Sequence, residues 1–151
     1  MKIQLASEEE TKLWGQKIGT ILRAGDCIEL IGDVGSGKTT LTKGIALGLG
    51  IKETVQSPTF TINRTYDSSS GLRLSHYDFY RLSDPGIMSE ELAESLGQSD
   101  TVVIIEWGDI VTSVLPEDHV RITFSSPTET DRDITLEGSS EIINRIAGVT
   151  K

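Results

Sequence analysis

The feature that most constrains this sequence is a glycine-rich segment that matches the pattern GxxxxGK[ST] at every defined position. The segment reads Gly32-Asp33-Val34-Gly35-Ser36-Gly37-Lys38-Thr39. The apolar run 27–31 directly before it predicts a central strand, and apolar residues at fourfold spacing after it predict a helix over 39–49. A strand, a loop of this kind and a helix in direct succession are typical of P-loop nucleotide-binding domains, which are α/β proteins.

The residue types in this segment suit the binding of nucleotide phosphates and a metal ion. The glycines let backbone N–H groups point inward at phosphate oxygens, and the following helix adds its positive N-terminal end. Lys38 would supply a charge for the β and γ phosphates, and Thr39 a hydroxyl for Mg²⁺. We expect the nucleotide to bind along residues 32–40, so that Thr40 is included. The glycine spacing does not fit the GxGxxG pattern of Rossmann domains.

A P-loop enzyme also needs a carboxylate on the far side of the metal, usually at the end of a neighbouring apolar strand. Glu106 ends the most apolar predicted strand, 101–106, and Asp78 ends a strand predicted over 72–78. Two acids could therefore converge near the γ phosphate, one holding Mg²⁺ and one orienting the attacking water. The alternative for each acid alone is a solvated carboxylate at a strand end. The expected catalytic residues are Lys38, Asp78 and Glu106, and the expected metal ligands are Thr39, Asp78 and Glu106.

The remaining pattern predicts further helices and an antiparallel part of the sheet. Ser7 and Glu10 have the spacing of a capping box, and Ser89 can cap a helix that Gly97 ends. Two segments around the turn 67–71 are rich in β-branched and aromatic residues and predict a β-hairpin. Because the hairpin departs from a strict βαβ alternation, we expect a three-layer P-loop NTPase fold with a mixed, partly antiparallel sheet. The predicted helices are 8–22, 90–96 and 141–147, and the predicted strands are 59–66, 72–78, 120–124 and 133–136.

Length and composition add expectations about organisation and environment. The 151 residues have the usual size of one domain, so we expect a single P-loop ATPase domain over 1–151. No apolar run approaches the roughly 20 residues that span a bilayer, and no signal peptide is recognised, so we expect a cytoplasmic protein. The net charge of -9, from 14 basic and 23 acidic residues, gives no basic surface for tight nucleic-acid binding. Any role connected with RNA should depend on a protein partner.

Three further segments point to one P-loop family. The DxxG and NKxD motifs of GTPases and the LSGGQ-like signature of ABC-type ATPases do not occur, which favours ATP as the nucleotide. With the P-loop, the order and spacing of these segments resemble the TsaE (YjeE) family of bacterial ATPases over nearly the whole chain. The segments are Ser57-Pro58-Thr59-Phe60, His76-Tyr77-Asp78-Phe79-Tyr80-Arg81-Leu82 and Ile105-Glu106-Trp107-Gly108-Asp109, and Thr40-Leu41-Thr42 continues the P-loop.

The resemblance implies an ATPase required for making threonylcarbamoyladenosine in tRNA, with ATP and Mg²⁺ as its cofactors. It implies association with a threonylcarbamoyl transferase subunit (TsaD-like) and the catalytically inactive paralogue of that transferase (TsaB-like). ATP hydrolysis would reset the transferase between turnovers. The tRNA would be contacted only indirectly, and no membrane would be involved.

The resemblance also assigns roles to individual residues. Lys38 and Thr39 would bind phosphate and metal, and Asp78 and Glu106 would be the metal-binding and water-positioning acids. Trp107 is similar to a family tryptophan near the nucleotide, so we count it among the nucleotide-binding residues.

The resemblance also concerns one loop and two further residues. Residues 57–60 resemble a switch loop in which Thr59 could sense the γ phosphate, although a proline-containing strand entry is an alternative. His76 is expected to support the site rather than to act as a base. The family often has Glu where this chain has Asp109, so Asp109 is left out of the metal site.

Two alternatives to an ATPase subunit stay open at this point. The Walker loop and the small size also fit a free-standing small-molecule kinase, although the arginines show no paired arrangement typical of a kinase lid. A nucleotide-dependent binding switch with negligible turnover would use the same residues as an ATPase. The sequence does not separate that switch from the ATPase.

Overall fold

The computed structural model describes residues 1–58, 61–84 and 86–151, which contain seven strands, four α-helices and one short 3-10 helix. The strands are β1 (Lys2–Leu5), β2 (Cys27–Ile31), β3 (Asn63–Asp67), β4 (Arg73–Asp78), β5 (Thr101–Glu106), β6 (Val120–Ser125) and β7 (Arg132–Gly138). The helices are α1 (Glu8–Gly19), α2 (Lys38–Leu49), α3 (Ile87–Leu96) and α4 (Ser140–Thr150), and the 3-10 helix spans Gly108–Val111. In the described part of the chain, no helix combines the length and apolar composition needed to cross a membrane.

All seven strands belong to one mixed sheet with the order β1-β7-β6-β2-β5-β4-β3. The central strands β6, β2, β5 and β4 are parallel to one another, whereas the pairs β1–β7, β7–β6 and β3–β4 are antiparallel. The predicted α/β fold with a partly antiparallel sheet is therefore confirmed. Because parallel strands end at the same edge of a sheet, the loops after β2, β4 and β5 lie near one another.

Apolar side chains cover the sheet in two clusters, one on each face. The larger cluster joins the sheet to α1, α2 and α4, through side chains such as Ile18, Ile45 and Ile146. The smaller cluster joins the other face to α3 and the 3-10 helix, through Leu92 and Val111. Helices on both faces of the sheet give the three predicted layers.

Helices α1 and α2 approach each other closely through four glycines. Gly15 and Gly19 of α1 face Gly44 and Gly48 of α2, and a Cβ atom at any of the four would overlap the backbone of the opposite helix. Close packing of two backbones leaves no space for a side chain between them. The contact fixes α1 against the helix that carries the P-loop lysine.

Several predicted elements are confirmed at or near their predicted bounds. The strands predicted over 27–31 and 101–106 coincide with β2 and β5. Helix α2 begins one residue earlier than predicted, and β6, β7 and α4 extend slightly beyond their predicted ranges. The predicted capping of α1 is confirmed, because the Ser7 hydroxyl accepts from the Glu10 N–H at 3.0 Å.

Two helix boundaries were predicted wrongly. The helix predicted over 8–22 ends at Gly19, because the Thr20 hydroxyl donates to the Lys17 carbonyl at 2.6 Å and the chain turns there. The helix predicted over 90–96 begins at Ile87. Ser89 therefore lies inside its first turn, where the Ser89 hydroxyl donates to the carbonyl of Gly86 and does not cap the helix.

The first strand of the predicted hairpin is shorter than expected. Of the strand predicted over 59–66, residues 59 and 60 lie outside the described residues, and the strand that is described begins at Asn63. The N–H groups of Thr61 and Ile62 donate to the Pro58 carbonyl and not to a neighbouring strand. Ile62 has a positive φ of 67°, which is incompatible with a strand. The sequence also gave no prediction of β1 or of the 3-10 helix.

Candidate functional site

The glycine-rich loop connects β2 directly to α2, as its pattern predicts. Gly35 and Gly37 have positive φ angles of 79° and 113°, a conformation that residues with a Cβ rarely adopt. Serines at positions 7 and 139 cap α1 and α4, but no side chain caps α2. The first N–H groups of α2 therefore lack a side-chain acceptor, which is the arrangement that favours a bound anion.

Lys38 is buried and lies against the loop that precedes it. Its Nζ donates to the carbonyl oxygens of Gly32 and Asp33, the second at 3.0 Å, and lies 4.8 Å from the centre of the Trp107 ring. Burial lowers the pKa of Lys38, and the negative charges of Glu106, Asp78 and Asp33 oppose that shift. The ammonium group thus lies among carboxylates at the mouth of the loop.

The two predicted acids lie side by side at the ends of neighbouring strands. Asp78 of β4 and Glu106 of β5 are direct cross-strand partners, and both are buried. The Asp78 Oδ1 atom accepts from the backbone N–H of Tyr80 at 2.9 Å. The Glu106 Oε2 atom lies 3.0 Å from Nε2 of His76. The expectation that His76 supports the site agrees with this contact.

Two aromatic rings continue the wall beyond the acids. Trp107 follows Glu106 in the left-handed conformation, with φ 57°, and its ring lies 4.8 Å from that of Tyr80. The Trp107 ring also faces the ammonium group of Lys38, which is a cation–π contact. Tyr80, whose ring is half-exposed, has no predicted role and is one of the residues that sequence reasoning missed.

A cavity of about 400 Å³ brings most of the predicted site residues together. Gly32 and Asp33 do not line this cavity but accept hydrogen bonds from Lys38. Asp109, which the sequence excluded, does not line it either. The predicted residues that line the cavity are Val34, Gly35, Ser36, Gly37, Lys38, Thr39, Thr40, Asp78, Glu106 and Trp107.

The cavity also has a polar part that sequence reasoning missed. Glu8, Thr11 and Arg132 line it, and the Thr40 hydroxyl donates to Glu8 Oε1 at 3.2 Å. The Arg132 Nη1 atom donates to the carbonyls of its own loop, and within the described residues Arg132 forms no ion pair. Glu8 and Arg132 come from opposite ends of the chain, so no local sequence signal could have linked them to the P-loop.

The donor atoms around the cavity fit a magnesium ion that is shared with phosphate oxygens. Thr39 offers a hydroxyl and Asp78 and Glu106 offer carboxylates, which are the oxygen ligands that Mg²⁺ prefers. Among the described residues, no group of three or more His, Cys, Asp or Glu side chains could hold a metal alone. The Ser36 hydroxyl is buried without a hydrogen-bond partner in the same loop, as in a site that awaits a polar ligand.

The predicted switch loop is only partly described. Ser57 lines the cavity, which is consistent with a segment that contacts the nucleotide. Thr59 and Phe60 lie outside the described residues, so the predicted sensing role of Thr59 stays a prediction.

Comparisons with known proteins agree with one another. The sequence model of a family described as threonylcarbamoyl adenosine biosynthesis protein TsaE matches residues 5–134. The tRNA threonylcarbamoyladenosine biosynthesis protein TsaE of Streptomyces coelicolor is 39% identical over 132 residues, 84% of this chain and 89% of that protein. The protein of the same name from Treponema pallidum is 38% identical over 136 residues, 90% of this chain and 99% of that protein. A crystal structure of YdiB from Bacillus subtilis superposes with a TM-score of 0.78 at 31% identity, covering 98% of this chain and 94% of that one.

Proposed function

Because the chain belongs to the TsaE family, we propose that it binds and hydrolyses ATP with Mg²⁺ as a subunit of the bacterial machinery that makes threonylcarbamoyladenosine in tRNA. The observation that carries the proposal is one cavity where the P-loop lysine, Lys38, lies near two buried strand-end acids, Asp78 and Glu106. Relatives that are named for the biosynthesis of this nucleoside support the pathway.

The charges along the cavity support one orientation of the nucleotide. The acids and Lys38 would surround the γ phosphate, because phosphoryl transfer needs a cation and water-orienting groups there. Glu8, Thr40 and Arg132 would then lie at the nucleoside end of the cavity. In this orientation, the Arg132 guanidinium is available to the nucleoside or to the α phosphate next to it, since within the described part of the chain it forms no ion pair.

The chemistry of hydrolysis would be carried by a few side chains. The attacking water forms a bond to the γ phosphorus while the bond from phosphorus to the bridging oxygen breaks, which yields ADP and phosphate. Glu106 would accept a hydrogen bond from that water and orient it. Lys38 has three N–H donors, of which two are used by loop carbonyls, so one is left for a phosphate oxygen.

Thr39, Asp78 and Glu106 are the residues that would hold the metal. Mg²⁺ bound there would neutralise charge on the β and γ phosphates. Trp107 and Tyr80 would limit the access of bulk water from the side of the acids, because their rings contact each other and the Trp107 ring lies over Lys38. A drier site strengthens each charge interaction with the phosphates.

We place the chain in a complex with a TsaD-like threonylcarbamoyl transferase and its TsaB-like paralogue, where hydrolysis resets the transferase between turnovers. The net charge of -9 supports contact with tRNA through a partner rather than directly. Val34 and Tyr80 support a partner at the cavity itself, since both are apolar, exposed and part of its lining. Covering such side chains is typical of a protein interface.

Replacement of the P-loop lysine tests nucleotide binding. Lys38→Ala should weaken ATP affinity by roughly 10- to 100-fold, because a hydrogen bond to a charged group contributes about 1.5 to 3 kcal/mol. The measurement is a calorimetric titration with ATP and Mg²⁺. Lys43→Ala is the matched control, because Lys43 is an exposed lysine of the same helix. Equal affinities for wild type and Lys38→Ala would contradict the proposed role.

Turnover assays test the placement in a complex. ATP hydrolysis by the purified protein is measured with Mg²⁺, first alone and then with the transferase pair and tRNA. We expect hydrolysis to rise when the partners are added. The kinase alternative would be favoured if the hydrolysis rate does not change on addition of the partners and phosphate is transferred to a metabolite in an acceptor screen.

A further inference from the structure

His76 forms a hydrogen bond through one of its two ring nitrogens, and the other has no hydrogen-bond partner among the described residues. The side chain is fully buried in β4, and its Nε2 atom lies 3.0 Å from Oε2 of Glu106. A carboxylate carries no hydrogen, so the hydrogen in this contact belongs to Nε2 of His76. The Nδ1 atom is buried and has no hydrogen-bond partner. In the part of the chain that the structure describes, the only polar contact of the ring is therefore its hydrogen bond to Glu106.

Glu106 in turn depends on His76 for its orientation. Among the described residues, no other hydrogen bond or ion pair reaches the Glu106 side chain. One carboxylate oxygen is thus held by the histidine, and the second, Oε1, is left unengaged on a side chain that lines the nucleotide cavity. A carboxylate that is held at one oxygen presents the other in a fixed direction.

We propose that His76 is a positioning residue that holds Glu106 so that its Oε1 atom faces the reacting phosphate. The inference rests on the ATP hydrolysis proposed above. The strand register supports it, because His76 and Asp78 lie on the same face of β4 and Asp78 pairs directly with Glu106. One strand therefore supplies both the second acid and the support for the first.

The unpartnered Nδ1 atom argues against a role in stability alone. A buried polar atom without a partner costs roughly 1 to 3 kcal/mol, which an apolar side chain at position 76 would not cost. A residue that breaks a local rule of stability without a compensating contact is typical of functional positions. The one contact that the ring does make leads to the acid of the proposed site.

Two substitutions separate positioning from packing. His76→Gln keeps an N–H donor at about the reach of Nε2, whereas His76→Asn has a shorter side chain whose amide stops near the position of Nδ1. Ser75→Ala is the matched control, because Ser75 is the buried neighbour on β4 whose side chain faces the other side of the sheet. Thermal unfolding of each variant measures what packing alone contributes.

Two readouts are compared across these variants. The first is kcat and KM for ATP hydrolysis with the partners present, and the second is the ratio of ADP affinities with and without Mg²⁺. In His76→Asn we expect either kcat or the ratio of ADP affinities to fall by about tenfold or more, as for residues that orient metal ligands. In His76→Gln we expect the same quantity to lie within roughly threefold of wild type. KM for ATP and both readouts of Ser75→Ala should stay near wild type.

A third readout observes the hydrogen bond directly. The chain has two histidines, so ¹H–¹⁵N spectra of their ring nitrogens can be assigned with the His76→Gln variant. We expect a hydrogen on Nε2 of His76 and none on Nδ1. A hydrogen on Nδ1 alone would overturn the proposal.

The outcomes also separate this inference from the proposed function. If wild type hydrolyses no ATP under any condition, the ATPase proposal fails, and the Mg²⁺ ratio and the spectra still decide the role of His76. If neither kcat nor the ratio changes in His76→Asn, the positioning role is wrong. It is also wrong if both variants lose activity equally and in proportion to their loss of thermal stability.

Discussion

Two buried glutamates on neighbouring strands each contact a histidine, and their surroundings differ. Glu29 of β2 has its Oε2 atom 3.1 Å from Nε2 of His119 and also accepts from Nε of Arg121 at 3.1 Å. Glu106 of β5 contacts His76 alone among the described residues. The other ring nitrogen of His119 lies 2.6 Å from a backbone carbonyl, whereas that of His76 has no partner.

The difference separates an acid that stabilises the fold from an acid that is available for chemistry. Glu29 meets a permanent positive charge and lies on the face of the sheet away from Glu106, outside the nucleotide cavity. Glu106 has no such cation bonded to it and borders the cavity, where an approaching metal or water can use its second oxygen. Burial of an acid alone does not indicate a functional site, and what distinguishes Glu106 from Glu29 is its place in the lining of a cavity.

The largest expected effect is a loss of stability on changing Glu29. Glu29→Gln should lower the free energy of unfolding by roughly 3 kcal/mol, because the buried Glu29 side chain loses its charge-assisted hydrogen bonds with Arg121 and His119. Urea unfolding measures the change, and Glu53→Gln, at an exposed position, is the control. Activity per folded molecule should be retained. A free energy of unfolding close to that of wild type would mean that Glu29 does not stabilise the fold in the way proposed.

The second largest effect is expected at Glu106, where a substitution should reduce activity and leave stability nearly unchanged. Glu106→Gln should reduce ATP turnover by about 100-fold, because the charge near the reacting phosphate is lost. Its unfolding temperature should change little, since the amide oxygen still accepts from His76. Steady-state turnover and thermal unfolding are measured on the same preparation. Wild-type turnover in this variant would remove Glu106 from the mechanism.

The third effect, which is the smallest when expressed per pH unit, uses Cys27 as a reporter of the charge on Glu29. Burial, and then the negative charge of Glu29, raise the pKa of the Cys27 thiol from 9.0 to about 12. The folded protein thus holds the thiol proton more tightly than the unfolded chain. This contribution to stability is complete below pH 9 and is lost as the pH rises from 9 towards 12.

The stability of the wild type should therefore fall more steeply with pH in this range than that of Cys27→Val, by at most roughly 1.4 kcal/mol per pH unit. Glu29→Gln should show the same slope over a narrower pH range, because without the charge of Glu29 the pKa of the Cys27 thiol is raised less. Urea unfolding at several alkaline pH values measures the slopes. Identical slopes in wild type and Cys27→Val would show that the pKa of the Cys27 thiol is not raised in the folded protein.

The sequence allowed the centre of the fold to be predicted, because its signals there are local. The P-loop, the apolar run 27–31 and the run 101–106 each carry their pattern within a few neighbouring residues. The carboxylates of Asp78 and Glu106 could be found because each ends a predicted strand, an alternating one for Asp78 and an apolar one for Glu106. Parallel strands then bring their ends together whatever the details of the loops.

The rest could not be predicted because it depends on contacts between distant parts of the chain. Strand β1 has a single buried side chain, Leu5, and is defined by pairing with β7 at the other end of the sequence. Glu8 and Arg132 reach the cavity only after the sheet and α1 are assembled. The contact between His76 and Glu106 depends on the register of two strands, which neither segment contains alone.

The glycine contact between α1 and α2 restricts which substitutions this chain can accept. A side chain at any of the four positions would force one helix away from the other. Both helices begin at the nucleotide cavity, with Glu8 and Lys38, so such a change would alter binding as well as packing. A substitution at either glycine pair should therefore change nucleotide affinity and stability together, which couples the helix packing to the P-loop.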